Sequence, residues 1–414
     1  MGIEGVGARV ARKEDKRFIT GAGRYVDDMV VPGMKHAAFV RSPHAHAEIK
    51  KIDVKKAQAM PGVIGVLTGK ELKADGIGNL ICGWMIHSKD GSPMKMGAWS
   101  PLAFDRVRYV GDAVVIVVAE TKGQARDAAE AVDITYKELK AVVDAPKALE
   151  RSAPQIHPEA DNNLIFDWEL GDSTATNAAI KAAAHVTRMK IVNNRLVPNA
   201  MEPRAALGYY DRAEDHYTCW TTSQNPHLAR LVMSAFYNVA PENKLRVIAP
   251  DVGGGFGSKI YIYPEEIICL WASKKTGVPV KWVADRTESF LTDAHGRDHV
   301  STVEMAFDKD NRITGLKVDT IANPAPTCRC SRPACRPISM RRCCRASTIF
   351  RRSTPMCAPS TPTPRRSTPI AGQGVRKPPI CSNAPWRPPH ASWACRRRSF
   401  AERTSSRRFR TRRR

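Results

Sequence analysis

The sequence lacks an apolar run of membrane-spanning length and an apolar h-region near its amino terminus. A transmembrane helix needs about 20 consecutive apolar residues, so we expect neither a membrane span nor a secretory signal. Cysteine is also scarce, because residues 1–326 contain only Cys82, Cys219 and Cys269. Three scattered cysteines are typical of a reducing compartment and provide no disulfide framework. We therefore expect a cytoplasmic protein.

Acidic residues are almost missing from the carboxyl-terminal segment, residues 327–414, which we call the tail. The whole chain has a formal net charge of +24, but the tail contains 22 Arg, Lys377 and only one acid, Glu402. The tail thus carries +22 of that charge, and residues 1–326 carry +2. A nearly neutral body does not predict binding to nucleic acid, so we expect no nucleic-acid partner for it.

The two common phosphate-loop motifs do not occur in the glycine-rich segment Asp251–Lys259, DVGGGFGSK. A P-loop needs Lys directly after its last glycine, but Ser258 intervenes, and the same serine breaks a G-x-G-x-x-G pattern. The segment nevertheless lies between a strand-like run, Leu245–Pro250, and a helix-like run. Glycines accept positive φ angles and let backbone N–H groups face a bulky anion. The pattern predicts either such a binding loop or a structural turn.

A second motif, SQNPH with Gln224, lies about thirty residues upstream of the glycine loop. The two motifs in this order resemble the molybdenum-binding chain of the molybdenum hydroxylases, the family of xanthine dehydrogenase, aldehyde oxidoreductase and aerobic carbon monoxide dehydrogenase. Two further segments, RKED…FITGAGRYVDD and FVRSPHAHAEIKKID, resemble the carbon monoxide dehydrogenase large chain in particular. The resemblance covers roughly residues 8–324.

The resemblance and the alternation of apolar patterns predict an α+β fold. Residues 1–145 are expected to form a small α/β hammerhead-type domain, within which residues 107–120 (VRYVGDAVVIVVAE) predict a hairpin that ends in a buried strand. Residues 146–165 are rich in proline and polar side chains and predict a linker. Residues 166–326 would then be the first part of a molybdopterin-binding domain, followed by a disordered tail, residues 327–414.

By resemblance, Gln224 would hydrogen-bond a molybdenum oxo ligand, and a carboxamide suits this role because it donates without adding charge. Backbone amides around Gly254, Gly255 and Phe256 would line the cofactor, and the Phe256 ring would form part of the wall of the site. The family metal is held by a pterin, so no protein metal ligand is expected. No catalytic residue is expected in this chain either, because the family's general-base glutamate lies near the far carboxyl terminus.

Three other residues have competing interpretations. Glu202, in MEPRAALGYY, could be a buried ion-pair partner of Arg204 or a member of the active-site shell. His44 and His46 are expected to be polar positions on one strand face rather than metal ligands.

The tail allows three interpretations. It could be a basic disordered arm, or a zinc site, although its cysteines lack the paired C-x-x-C spacing of zinc knuckles. In the third, residues 369–376 (PIAGQGVR) can be back-translated and read one base earlier as YRGAGRP, which resembles an active-site loop of the same family. We therefore hypothesise a frameshift near codon 324 or 325, no stable fold after about residue 326, and no family activity in the chain as written.

The resemblance implies the catalytic subunit of a hydroxylase that oxidises carbon monoxide, an aldehyde or an N-heterocycle with oxygen from water. Its cofactor would be molybdopterin in the cytosine dinucleotide form. Electrons would pass to a 2Fe-2S small subunit and an FAD-binding medium subunit of a heterotrimer, which can dimerise. The recovered YRGAG lacks a cysteine after YR, which favours an aldehyde or N-heterocycle over carbon monoxide. The alternative is a non-catalytic protein whose arginine-rich tail binds nucleic acid or acidic surfaces.

Overall fold

The computed structural model describes residues 10–323 except 81–85, 96 and 98, together with residues 5 and 7 and the backbone of Ala346–Phe350. All of these residues belong to one compact unit, residues 1–354, and a second unit, residues 355–414, lies outside the described part. No helix among the described residues is long and apolar enough to cross a membrane.

The described residues form strands and helices in alternation. The strands are β1 Lys35–Arg41, β2 Ala47–Asp53, β3 Val63–Thr68, β4 Arg106–Val107, β5 Ala113–Ala119, β6 Asp133–Glu138, β7 Trp168–Leu170, β8 His185–Asn193, β9 Ala205–Asp211, β10 His216–Thr221, β11 Leu245–Ile248, β12 Val280–Val283, β13 His299–Phe307, β14 Ile313–Ala322 and β15 Ala346–Phe350. The α-helices are α1 Asp15–Ile19, α2 Lys55–Gln58, α3 Gly69–Ala74, α4 Lys122–Glu130, α5 Ala145–Ala148, α6 Ser173–Ala182, α7 Pro226–Ala235, α8 Pro264–Thr276 and α9 Arg286–Thr292.

Strand β5, AVVIVVA, lies at the centre of the amino-terminal half. All seven residues are buried, and the strand pairs antiparallel with β1 on one edge and β3 on the other. A strand buried on both faces needs such a continuous apolar run. The hairpin expected within residues 107–120 is wrong, because both edges of β5 are already occupied. The preceding strand, β4, instead pairs with β2 in a separate three-stranded sheet of order β4-β2-β6.

One seven-stranded sheet joins the two halves of the chain. Its order is β11-β10-β9-β12-β1-β5-β3, so strands of the predicted hammerhead-type segment continue directly into strands of the later segment. The junction is the parallel pairing of β1 with β12, in which Lys35 lies opposite Val280. The boundaries at residues 145 and 166 therefore remain predictions about domains that share a sheet.

Helix α8 packs against this sheet and is its most buried helix. Every residue from Pro264 to Ser273 is buried. The helix begins with Pro264 at its first position and ends at Gly277, whose φ of 74° gives the left-handed conformation common after a helix carboxyl terminus. Gly208 of β9 allows the close approach, since a Cβ there would lie 2.4 Å from the backbone carbon of Cys269. This helix supports the loop that precedes it.

A second sheet has the order β7-β15-β14-β13-β8, with α6 packed on it. Helix α6 is capped by Asp172, whose side chain accepts a hydrogen bond from the Ala175 N–H at 2.9 Å. Strand β15 lies within the tail, where no stable element was expected. Its backbone pairs with β14 and with β7, and the other tail residues lie outside the described part.

Candidate functional site

The glycine loop runs from the end of β11 to the 3₁₀ turn Ser258–Ile260, which leads into α8. Gly254 and Gly257 have φ angles of 97° and 93°, a region that L-residues rarely adopt. Phe256 lies between them with φ 49° and a side chain that is 76% exposed. A phenylalanine in the left-handed region is strained, and such strain is typical of functional loops.

Three consecutive amides of this loop have no hydrogen-bond acceptor among the described residues: those of Gly254, Gly255 and Phe256. The amides on either side are used within the protein. Gly253 donates to the Glu202 carboxylate at 2.7 Å, and Gly257 donates to Gln224 Oε1 at 3.0 Å. The available N–H groups are therefore those at the three positions that sequence analysis assigned to cofactor binding.

Gln224 contacts the loop with both its backbone and its side chain. Its backbone N–H donates to the Lys259 carbonyl at 2.8 Å, and its Oε1 accepts from the Gly257 N–H at 3.0 Å. A Cβ at residue 255 would displace the Gln224 side chain, because it would lie 2.4 Å from Gln224 Oε1. Gln224 is exposed, and its Nε2 has no acceptor among the residues that the structure describes. The structure thus places all four predicted cofactor residues together.

Glu202 lies beneath the loop but is not the ion-pair partner of Arg204. Its Oε2 accepts from the Lys259 ammonium at 2.9 Å as well as from the Gly253 N–H. The structural interpretation that paired it with Arg204 is therefore wrong. Lys259, which sequence analysis did not single out, is the partner. Only the three-dimensional fold brings these residues, 57 positions apart, into contact.

Arg204 belongs to a separate buried ion network that supports the same region. Its Nη1 lies 2.7 Å from Glu265 Oε2 and its Nε lies 2.6 Å from Asp293 Oδ1, while Arg41 contacts the same Glu265 at 2.9 Å. Burial opposes the charge of Arg204, but attraction to Glu265 and Asp293 outweighs it and raises the pKa. The guanidinium also stacks over the Tyr263 ring at 3.8 Å.

The start of the loop is attached to the amino-terminal segment. Both terminal nitrogens of the Arg17 guanidinium, Nη1 and Nη2, donate to the Asp251 carboxylate, and the Arg24 N–H donates to it at 2.7 Å. The hydrogen bond from Arg17 is the largest cause that lowers the pKa of Asp251. The GAGRY segment, which carried part of the resemblance, thus lies against the first residue of the loop.

His46, Cys219 and Cys269 are all buried within the protein. His46 is buried, and its Nδ1 lies 2.9 Å from the Lys140 carbonyl. Burial raises the pKa of the Cys219 and Cys269 thiols well above the usual value, so neither is an activated thiolate. Within the described ranges, no three His, Cys, Asp or Glu side chains are grouped to hold a metal ion.

A cavity of about 590 Å³ lies elsewhere, between the predicted linker and the turn Arg108–Val110. None of the loop residues lines it. Because it is bordered mainly by apolar side chains and none of the predicted cofactor residues lines it, the glycine loop is the better candidate site.

Two family models match this chain in the order expected from the fold. Residues 20–140 match the aldehyde oxidase and xanthine dehydrogenase a/b hammerhead domain, and residues 156–344 match the molybdopterin cofactor-binding domain. The fold and the loop thus define a molybdopterin-binding chain with an amino-terminal hammerhead domain. The second match extends past residue 326, where the predicted tail begins, into residues that lie outside the described part.

Curated relatives agree with these matches. The carbon monoxide dehydrogenase large chain of Afipia carboxidovorans is 36% identical over 358 residues, which are 83% of this chain and 43% of the relative. The nicotine 6-hydroxylase large subunit of Paenarthrobacter nicotinovorans is 36% identical over 320 residues, 77% of this chain and 38% of the relative. The chain therefore spans about two fifths of the length of these relatives.

Solved structures show the same architecture. Quinoline 2-oxidoreductase from Pseudomonas putida 86 is 34% identical, with a TM-score of 0.69 over 76% of this chain and 39% of that one. Reconstituted CO dehydrogenase from Oligotropha carboxidovorans is 36% identical, with a TM-score of 0.70 over 76% of this chain and 39% of that one. The chain belongs to the molybdenum hydroxylase family and corresponds to its molybdopterin-binding large subunit.

The site residues fit a pterin-held metal. Three free amides and one free carboxamide nitrogen offer only hydrogen-bond donors, and a donor set of this kind suits an anionic group and metal oxo ligands.

Proposed function

We propose that this chain supplies part of the molybdopterin site of a hydroxylase that acts on a small molecule. The observation that carries the proposal is the row of unpaired amides at Gly254, Gly255 and Phe256 beside the exposed Gln224 carboxamide. Bound molybdopterin would supply the two-electron oxidation of a carbon centre with oxygen from water, and the protein would supply position and hydrogen bonds.

Each residue has a separate task in this proposal. The three loop amides hold the anionic cofactor, since their N–H groups need no rearrangement to donate. Gln224 Nε2 donates to an oxo ligand, while the bond from Gly257 to Oε1 keeps the carboxamide in one orientation. The exposed Phe256 ring covers one side of the cofactor and limits access of water.

The substrate class, the partners and the cofactor form are further parts of the proposal. Large subunits that act on nicotine and carbon monoxide are among the similar proteins, so the substrate is carbon monoxide, an aldehyde or an N-heterocycle. The cofactor is the cytosine dinucleotide form, and electrons leave through 2Fe-2S and FAD subunits of a cytoplasmic heterotrimer.

The test is cofactor content. The full chain should be produced in a host that makes molybdopterin, and molybdenum and oxidised-pterin fluorescence should be measured per mole of protein. Pterin is expected in the wild type at less than one equivalent, because the chain supplies only part of the site, and strong loss is expected in Gln224→Ala. A chain that is folded by circular dichroism but contains no pterin, alone and together with candidate FAD and 2Fe-2S subunits, would refute the proposal.

A further inference from the structure

Glu202 forms two hydrogen bonds with Gly253, the first glycine of the loop, one as acceptor and one as donor. Its carboxylate accepts from the Gly253 N–H at 2.7 Å, and its own backbone N–H donates to the Gly253 carbonyl at 3.1 Å. The approach is so close that a Cβ at Gly253 would lie 2.5 Å from the Glu202 Cβ. The first glycine of the triplet is thus required by Glu202.

Lys259, at the end of the loop, donates hydrogen bonds to Glu202 as well. Its side chain is 1% exposed, and its ammonium donates to the Glu202 carbonyl at 2.8 Å and to the Glu202 carboxylate at 2.9 Å. Burial lowers the pKa of Lys259, and its hydrogen bond to Glu202 partly counters this shift. A buried ammonium that loses its acceptor oxygens is strongly destabilising, so Lys259 depends on the two oxygens of Glu202 that accept from it.

The pair of Glu202 and Lys259 is also connected to Gln224, through a backbone hydrogen bond. The Lys259 carbonyl accepts from the Gln224 N–H at 2.8 Å, and the Gln224 side chain accepts from Gly257. Any movement of the Lys259 backbone therefore changes the position of the Gln224 carboxamide. In this way one ion pair connects the first glycine, the last loop residue and the carboxamide that faces the cofactor.

We propose that Glu202 and Lys259 act together as positioning residues, whose hydrogen bonds close the base of the glycine loop and fix the cofactor-binding amides and Gln224 relative to each other. This inference rests on the proposed function for its link to the cofactor, while the closure of the loop stands on the contacts alone. Neither side chain touches the cofactor in this account. Their effect is transmitted through Gly253 and through the Lys259 carbonyl.

The first measurement is hydrogen exchange of the full chain without added cofactor. Glu202→Ala and Lys259→Met should each accelerate exchange in peptides that contain Gly253–Ser258 by about tenfold or more, as expected for loss of a hydrogen bond to a charged group. Glu202→Gln keeps an acceptor oxygen for Gly253 and Lys259, and its new NH₂ replaces Oε1, which has no partner among the described residues. This variant should stay within about threefold of the wild type.

The second measurement is pterin retention by the same variants after production in a host that makes the cofactor. Retention should fall about tenfold in Glu202→Ala and Lys259→Met and should be restored in Glu202→Gln. Lys281→Met is the matched control, because Lys281 is a buried lysine that donates to the carbonyls of Asp27 and Met29 instead of to the loop. It should leave both loop exchange and pterin retention as in the wild type.

The outcomes separate the two proposals. If the wild type holds pterin and the two disruptive variants hold it equally well, the positioning role is refuted. If the wild type holds no pterin, the proposed function is refuted. The hydrogen-exchange measurement still decides whether the pair closes the loop, because unchanged exchange in Glu202→Ala and Lys259→Met refutes this closure. If Glu202→Ala does not fold, the positioning role is tested by Lys259→Met and Glu202→Gln alone, with the same expected results for these two variants.

Discussion

The Oε1 atom of Gln224 accepts a hydrogen bond from the Gly257 N–H at 3.0 Å, so the side chain that would donate to a bound oxo group is itself held by the loop. Carboxamide oxygen and nitrogen therefore have different tasks. The oxygen fixes the orientation, and the nitrogen is available to a ligand. A donor held in place before the ligand arrives costs no reorganisation when it binds.

Gly255→Ala should test this arrangement directly. The new Cβ would lie 2.4 Å from Gln224 Oε1 and would displace the side chain from Gly257. Loss of one hydrogen bond of about 1 kcal/mol corresponds to roughly fivefold weaker pterin retention, measured as pterin per protein after dialysis. Gly123→Ala is the control, since nothing lies within 4 Å of its added Cβ and the residue is in helix α4. Equal retention in both variants would contradict the prediction.

Gly208→Ala should destabilise the whole unit rather than the loop alone. Its Cβ would lie 2.4–2.5 Å from backbone atoms of Cys269 and Leu270, and backbone atoms cannot move aside as a side chain can. Overpacking of a core typically costs about 1–3 kcal/mol, and contact with backbone should give a value at or above the top of this range. Urea unfolding followed by tryptophan fluorescence measures it. A change below about 1 kcal/mol would show that α8 can shift away from β9.

Arg204→Met should reduce the free energy of unfolding by about 3–5 kcal/mol, because Glu265 and Asp293 would lose a buried partner. Arg188→Met is the matched comparison. Arg188 pairs with Glu304 at 2.8 Å, but its side chain is 63% exposed, and exposed pairs contribute about 0–1 kcal/mol. Chemical denaturation of both variants should therefore give clearly different losses, and similar losses would mean that the buried network is not needed.

Asp112 should make stability decrease as pH rises. Burial raises its pKa to about 7, although the Arg108 backbone N–H and charge oppose this. The folded state therefore binds the proton more tightly than the unfolded state, whose ordinary value is 3.8. The stabilisation is complete below about pH 4 and is lost as pH rises towards 7.

Replacement by asparagine removes the titrating group, so Asp112→Asn should flatten this part of the stability profile, measured by urea unfolding between about pH 4 and 8. Asp90→Asn is the control. Hydrogen bonds from Ser92 lower the pKa of the exposed Asp90, so its replacement should leave the slope in this range unchanged. An unaltered slope in Asp112→Asn would contradict the prediction.

The residues of the glycine loop could be predicted from the sequence, but the buried residues that support the loop could not. Gly253–Gly257 and Gln224 lie in short motifs whose composition already limits the backbone, so their meeting could be expected. Lys259 could not be assigned, because nothing local shows that its side chain turns inward to Glu202. The same reason explains the wrong partner for Arg204, whose acidic neighbours Glu265 and Asp293 lie 61 and 89 positions away.

The secondary-structure elements also divide into those that depend on local sequence and those that depend on contacts between distant residues. Helix α6 depends on the local cap at Asp172, and the hairpin of β13 and β14 depends on the local turn Asp308–Asn311. The separation of β4 from β5 depends on which strands already occupy the edges of β5, and this information is distributed over residues 35–68. A two-residue strand such as β4 has no periodicity from which its partner could be inferred.

The parallel pairing of β1 with β12 has a consequence for synthesis of the chain. Lys35 lies opposite Val280, so the amino-terminal half cannot acquire its last strand neighbour until the ribosome has added about 245 further residues. At roughly 5–20 residues per second this takes about 12–50 seconds. During that time one edge of β1 is unpaired and can pair with other chains. The pairing of β12 with β1 ends this exposure of the nascent protein to aggregation.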